Sequence, residues 1–209
     1  MEEIQYIDYG VGNKKSVVNA LCYLDKKVKF VNKVELLNVH QPMILPGVGS
    51  FLHCQSELSK FGFFEPLKEM LRNNQIRRFL GICVGMQMLF EKGNEDGESN
   101  GLSIFNGQVE FLGSFVSPSK TEIITPHISW CDILNTLSHE NIGKYYFIHS
   151  FGNVGTRNQV AYYKWHNQQI TAIARKNGVW GVQFHPEKSG EFGLQLMDNI
   201  LSKEPEDVI

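Results

Sequence analysis

Short apolar runs alternate with helical patterns through the first hundred residues, and this alternation constrains the fold more than any other feature of the chain. Ile4 to Tyr9, Val28 to Val31, Met43 to Leu45 and Phe79 to Ile82 have the length and character of strands. Between them, Ser16 to Leu24 and two stretches between Phe51 and Asn74 space their apolar residues as helices do. Strands joined through helices run parallel and are covered on both faces, so reactive groups belong at their carboxyl ends. Beyond the polar loop Glu91 to Asn100 the pattern turns to strands, at Gln108 to Leu112, Tyr145 to Phe151, Val160 to Trp165, Ile170 to Arg175 and Val179 to Phe184. The prediction is an α/β fold with a mixed, largely parallel central sheet and helices on both faces. A last helix, from about Gly190 to Leu201, places Phe192, Leu196, Met197 and Ile200 on one apolar face before a charged tail expected to fray.

Composition narrows what such a fold does. A chain of 209 residues with 42% hydrophobic content buries roughly 70% of the surface of its unfolded form, so one domain over residues 1–209 is expected. Twenty basic and twenty-two acidic residues offer no general attraction for nucleic acid or an anionic membrane. The opening MEEIQYIDYG lacks the basic and apolar regions of a signal peptide, and no apolar run is long enough to span a bilayer, which predicts a cytoplasmic protein. Cys22, Cys54, Cys83 and Cys131 stand far apart without a CxxC pair, suggesting neither a disulfide framework nor a zinc knuckle.

Cys83 stands apart from the other three. Phe79-Leu80-Gly81-Ile82-Cys83-Val84-Gly85-Met86-Gln87 reads as strand, tight turn and helix with the thiol at the turn. This G-x-C-x-G is the thiol form of a nucleophile elbow, where small neighbours let a strained residue project its nucleophile and the following N–H face an oxyanion. A helix N-terminus at the turn would favour the thiolate. An isolated cysteine would read as core packing; the flanking glycines point to chemistry. A thiolate needs a base and the base an orienting group, and Gly181-Val182-Gln183-Phe184-His185-Pro186-Glu187 supplies both where Pro186 ends the regular strand. Zinc deaminases also use His-x-Glu but need a Pro-Cys-x-x-Cys partner, which the chain lacks. Pro46-Gly47-Val48-Gly49 follows another strand, and its N–H groups could complete an oxyanion hole. Gly10-Val11-Gly12 resembles part of a dinucleotide fingerprint, but Lys15 occupies the third glycine's place.

Together, PGVG, GICVGMQ and GVQFHPEKSG resemble the class I glutamine amidotransferases, whose fold is flavodoxin-like. DYGVGNKKSVVNAL, PHISW and YYFIHSF narrow the resemblance to the glutaminase subunit of imidazole glycerol phosphate synthase, over nearly the whole chain. The resemblance implies Cys83 as nucleophile, His185 as general base and acid, and Glu187 as the group that orients His185. It places the backbone of Val48, Gly49 and Val84 at the oxyanion hole, Gln87 and Glu95 near the polar end of bound glutamine, and Trp130 near a partner. It implies glutamine hydrolysis without metal or organic cofactor, in a heterodimer with a cyclase subunit of TIM-barrel fold. That subunit uses the ammonia to make imidazole glycerol phosphate and an aminoimidazole carboxamide ribotide in histidine biosynthesis.

The chain departs from the family in one segment. Pro126-His127-Ile128-Ser129-Trp130-Cys131 stands where the family usually reads Pro-His-Met-Gly-Trp-Asn. The change at Cys131 removes an amide expected at the partner surface, and Ser129 replaces a glycine expected beside the glutaminase site. This motivates an alternative, a paralogous ammonia donor to a variant barrel synthase that amidates a surface-polysaccharide sugar. A non-catalytic glutamine- or partner-binding subunit would be expected to lack one of the three reactive residues. A cysteine peptidase or esterase would share the elbow without the HPE segment.

Overall fold

A computed structural model describes residues 2–114, 125–204 and 208. The chain order is β1 (Glu3–Ile7), α1 (Lys14–Tyr23), β2 (Lys27–Val31), β3 (Met43–Leu45), α2 (Phe51–Lys60), α3 (Phe64–Arg72), β4 (Phe79–Ile82) and the single turn α4 (Val84–Gln87). There follow β5 (Lys92–Gly93), β6 (Ser99–Asn100), β7 (Gln108–Phe111), β8 (His127–Asn135), β9 (Asn141–His149) and β10 (Phe151–Gly152). The chain continues through β11 (Gln159–Trp165), β12 (Gln168–Lys176), β13 (Val179–Val182) and α5 (Gly190–Ser202).

Nine strands form the main sheet in the order β2-β1-β3-β4-β13-β12-β11-β8-β9. The first five are parallel, each paired in register with its neighbour, and their order is that of the flavodoxin-like doubly wound sheets. From β13 onward every pairing is antiparallel. The central strands β3, β4 and β13 are buried at every residue, which is why they read as unbroken apolar runs rather than alternating ones. Their carboxyl ends lead into Pro46-Gly47-Val48-Gly49, Cys83 and His185. A second sheet of four short strands, β10-β7-β5-β6, stands beside this edge.

Several expectations need correction. The long strand β8 was not expected, because only alternate residues of it turn inward and several of those are polar. The strand expected from Tyr145 to Phe151 is divided at Ser150: β9 pairs with β8, whereas β10 pairs with β7 in the second sheet. The loop from Glu91 to Asn100 contains the paired strands β5 and β6, each two residues long. Phe192 is 56% exposed, and the buried face of α5 is formed by Gly193, Leu196, Met197, Ile200 and Leu201. The end of the tail predicted to fray lies largely outside the described residues.

Candidate active site

The turn after β4 places Cys83 at φ 55° and ψ −113°. A side chain at positive φ costs on the order of 1–3 kcal/mol and persists only where its surroundings enforce it. Here the Cys83 N–H donates to Val182 O at 2.8 Å, tying the elbow to β13. The flanking glycines are required by space. A Cβ on Gly81 would lie 2.7 Å from Gly85 O, and one on Gly85 would lie 2.1 Å from Leu45 O. The thiol side chain is nearly buried, at 4% exposure. The helix expected behind it is the four-residue α4, too short to carry much of the macrodipole that the sequence reading assigned to it.

His185 approaches from the end of β13. Its N–H donates to Tyr146 O at 3.0 Å, while Ser189 Oγ donates to His185 O at 2.6 Å and accepts from Tyr146 N–H at 3.0 Å. The backbone on both sides of the imidazole is thereby fastened to β9. Pro186 opens a 3-10 turn over Pro186–Lys188 that turns Glu187 back toward the ring. His185 Nδ1 and Glu187 Oε1 are 2.8 Å apart, and the glutamate side chain is only 1% exposed. With Nδ1 donating to the carboxylate, Nε2 is the ring nitrogen left free, and His185 and Cys83 line the same cleft. Burial alone would discharge this ring, but the neighbouring Cys83 and Glu187 outweigh it and raise its pKa to about 10. The arrangement favours an imidazolium at His185.

These groups open into a cleft of about 530 Å³ lined by Val48, Gly49, Cys83, Val84, Gln87, Glu95 and His185, among others. Seven of the eight residues singled out as catalytic, oxyanion-forming or substrate-binding by sequence are here, and Glu187 stands behind His185. Glu95 Oε2 accepts the Phe51 N–H at 3.1 Å, and burial raises the pKa of its carboxyl. Gln87 Nε2 donates to Phe151 O at 2.9 Å and to Gln183 Oε1 at 3.1 Å. Its Oε1 is buried without a hydrogen-bond partner among the described residues.

Sequence reasoning missed His149, whose ring lines the cleft. His149 Nδ1 lies 2.8 Å from Phe151 O and Nε2 3.2 Å from Tyr163 Oη. The first contact requires a proton on Nδ1, so Nε2 accepts from the tyrosine and the ring is neutral. Burial accordingly pushes its pKa down to about 3 and that of the neighbouring His127 to about 4. The run HSF after an apolar strand was the available signal. Among the described residues, no three His, Cys, Asp or Glu side chains converge as a metal site requires.

Comparison with known proteins agrees with this geometry. The family described as glutamine amidotransferase class-I matches residues 5–203. The chain belongs to this family. A relative named imidazole glycerol phosphate synthase subunit HisH, from Exiguobacterium sibiricum, is 38% identical, with 93% of this chain and 92% of the relative aligned. A Pseudomonas putida protein of the same name is 33% identical over 97% of this chain and 98% of its own length. Among solved structures, one titled "Crystal structure of glutamine amidotransferase" superposes with a TM-score of 0.69 at 16% identity, covering 95% of this chain and 98% of the other. Another, titled as PurLQS from Thermotoga maritima, gives 0.61 at 15% identity, covering 98% and 93%. These two likenesses support the fold alone.

Outside the cleft of this amidotransferase, Trp130 is 47% exposed on β8 and its ring centroid lies 5.9 Å from that of Tyr146. Ile128 and Ile148 are exposed on the same paired strands, and Ile148 also lines the cleft. Strand alternation sends Ser129 and Cys131 to the other side. Cys131 is half-buried there, with Sγ 3.3 Å from His127 Nε2. Ser129 does not line the cleft.

Proposed function

We propose that this chain is the glutaminase subunit of an imidazole glycerol phosphate synthase, acting in the cytoplasm with Cys83, His185 and Glu187 as its catalytic triad. The observation that carries the triad is the buried Glu187–His185 pair beside a thiol held on a strained elbow, all at one end of the parallel strands. Cys83 Sγ attacks the side-chain carbonyl carbon of glutamine, and the carbonyl oxygen becomes an oxyanion facing backbone N–H groups of Val84 and the 48–49 segment. His185 gives its proton to the amide nitrogen, the carbon–nitrogen bond breaks, and ammonia leaves. Water then attacks the γ-glutamyl thioester, His185 takes its proton, and glutamate departs as the thiol is restored. Gln87 Oε1 and the Glu95 carboxylate hold the substrate's N–H groups.

The released ammonia requires an acceptor. The apolar strip of Ile128, Trp130 and Ile148 borders the cleft, and a cyclase subunit of TIM-barrel fold seated on it would receive the ammonia without exposure to water. The names of the relatives favour histidine biosynthesis over a polysaccharide acceptor. Neither the Gly47 C=O nor the Val48 N–H has a hydrogen-bond partner among the described residues, leaving the peptide between them free to realign when the partner docks. The test is Cys83→Ala with the barrel subunit. Glutamine-dependent synthesis should fall at least about a thousandfold, while synthesis from added ammonium is retained. Near-normal glutamine turnover by the variant would refute the assignment.

A further inference from the structure

Tyr9 and Cys54 are fully buried, and neither lines the cleft nor touches the triad. Each bears a weak acid with a single proton, and each directs it at the same short piece of backbone. Tyr9 Oη donates to Pro46 O at 2.6 Å. Cys54 Sγ donates to Val48 O at 3.5 Å, a distance ordinary for sulfur. The two side chains thus act as one clamp on two carbonyls of the 46–49 segment. Burial pushes both pKa values up, to about 11 for the Cys54 thiol, and so keeps both donor protons in place at neutral pH.

Peptide planarity converts this grip on oxygens into control of N–H groups. In a trans peptide C=O and N–H point in opposite directions. The Val48 carbonyl is drawn toward Cys54, away from the cleft, so the Gly49 N–H of the same peptide is turned toward it. Glycine at 49 has φ 85° and no Cβ to resist rotation, so its own torsions would not hold that direction. Close packing alone does not fix it either: Gly47 presses against the elbow, with its Cβ position 2.2 Å from Gly85 N, and this sets where the segment lies rather than how each peptide is rotated.

We infer that Tyr9 and Cys54 are positioning residues for glutamine hydrolysis, fixing the rotation of the 46–47 and 48–49 peptides so that the Gly49 N–H is aimed at the developing oxyanion. The inference rests on the glutaminase reading above. It makes a separation that a structural role does not: the clamp matters only when negative charge develops on the substrate oxygen. Alkylation of Cys83 by iodoacetamide passes through no such oxyanion, yet needs the same thiolate and imidazolium.

The experiment compares wild type, Tyr9→Phe, Cys54→Ala and Cys54→Ser in complex with the cyclase subunit. Loss of an oxyanion donor costs about a hundredfold to a thousandfold in turnover, so a donor that is misdirected part of the time should cost about tenfold to a hundredfold in kcat. KM should stay within about threefold and the rate of Cys83 alkylation within about twofold, since neither depends on that donor. Cys54→Ser retains a donor for Val48 O and should recover most of the activity lost in Cys54→Ala. Equal loss of alkylation and turnover would overturn the inference, and so would full turnover in Tyr9→Phe and Cys54→Ala. Absence of turnover in the wild-type complex would instead overturn the glutaminase reading, and the clamp with it.

Discussion

Glu187→Gln isolates the charge of the triad from its shape. The carboxylate is 1% exposed and lies 2.8 Å from His185 Nδ1, so an amide of the same size can keep the hydrogen bond while losing its ionic part. Charge-assisted hydrogen bonds are about twice as strong as neutral ones, and the difference amounts to about 1–1.5 kcal/mol. At about 1.4 kcal/mol per pKa unit, the imidazolium should lose about one unit of proton affinity. Deprotonation leaves a neutral imidazole beside Cys83, so the change in Cys83 alkylation rate that accompanies loss of the His185 proton should move about one unit to lower pH. The assay is the iodoacetamide labelling rate across pH, read on the peptide that contains Cys83 because Cys22 is exposed and will also react. Stability should follow the same charge. The ring's pKa is raised from 6.5 to about 10, so its contribution to folding is complete below about pH 6.5 and is lost as pH rises toward 10. The variant should therefore lose more melting temperature at pH 6 than at pH 10. Superimposable labelling profiles for wild type and variant would refute the coupling of Glu187 to the thiol.

Trp130→Ala should weaken affinity for the barrel subunit by at least about tenfold, the effect of a modest interface anchor, with little change in melting temperature because the ring is half exposed. Titration of the two subunits by calorimetry checks this; a large loss of stability with unchanged affinity would mark the ring as structural. Gly85→Ala should remove activity and destabilise the chain by more than about 2 kcal/mol, since the added methyl meets backbone that cannot yield. Denaturant unfolding of the variant measures that loss, and a normally folded, active alanine variant would contradict the close approach.

What the sequence made legible was chemistry carried by neighbours along the chain. The elbow needs Gly81, Cys83 and Gly85 within five positions, and the base and its orienting group are separated only by Pro186. Local turn rules suffice for such motifs. The strands β3, β4 and β13 were legible for a related reason: burial on both faces makes them continuously apolar. Contacts made by tertiary closure were not legible. Tyr9 meets a carbonyl 37 positions away, Gln87 reaches Phe151 64 positions on, and nothing in either local pattern announces the partner. The strand β8 was hidden by its half-exposed position, where Ser129, Cys131 and Asp132 dilute the apolar signal. The division of β9 from β10 depends on which sheet each edge joins, a choice made by β7 rather than by the residues at the break.

Gly47 and Gly85 bring the 46–49 segment and the Cys83 turn into contact backbone to backbone, with no side chain between them. Most catalytic groups are aligned through rotamers, and rotamers can be exchanged within a folded protein. Here the spacing between the Cys83 sulfur and the amides of the 46–49 segment is written into the main chain of β3 and β4, which are themselves hydrogen-bonded neighbours in register. Evolution can therefore retune what surrounds this junction, the cleft walls and the partner surface, through ordinary substitutions. The junction itself admits no such gradual adjustment, because every available side chain is larger than the gap.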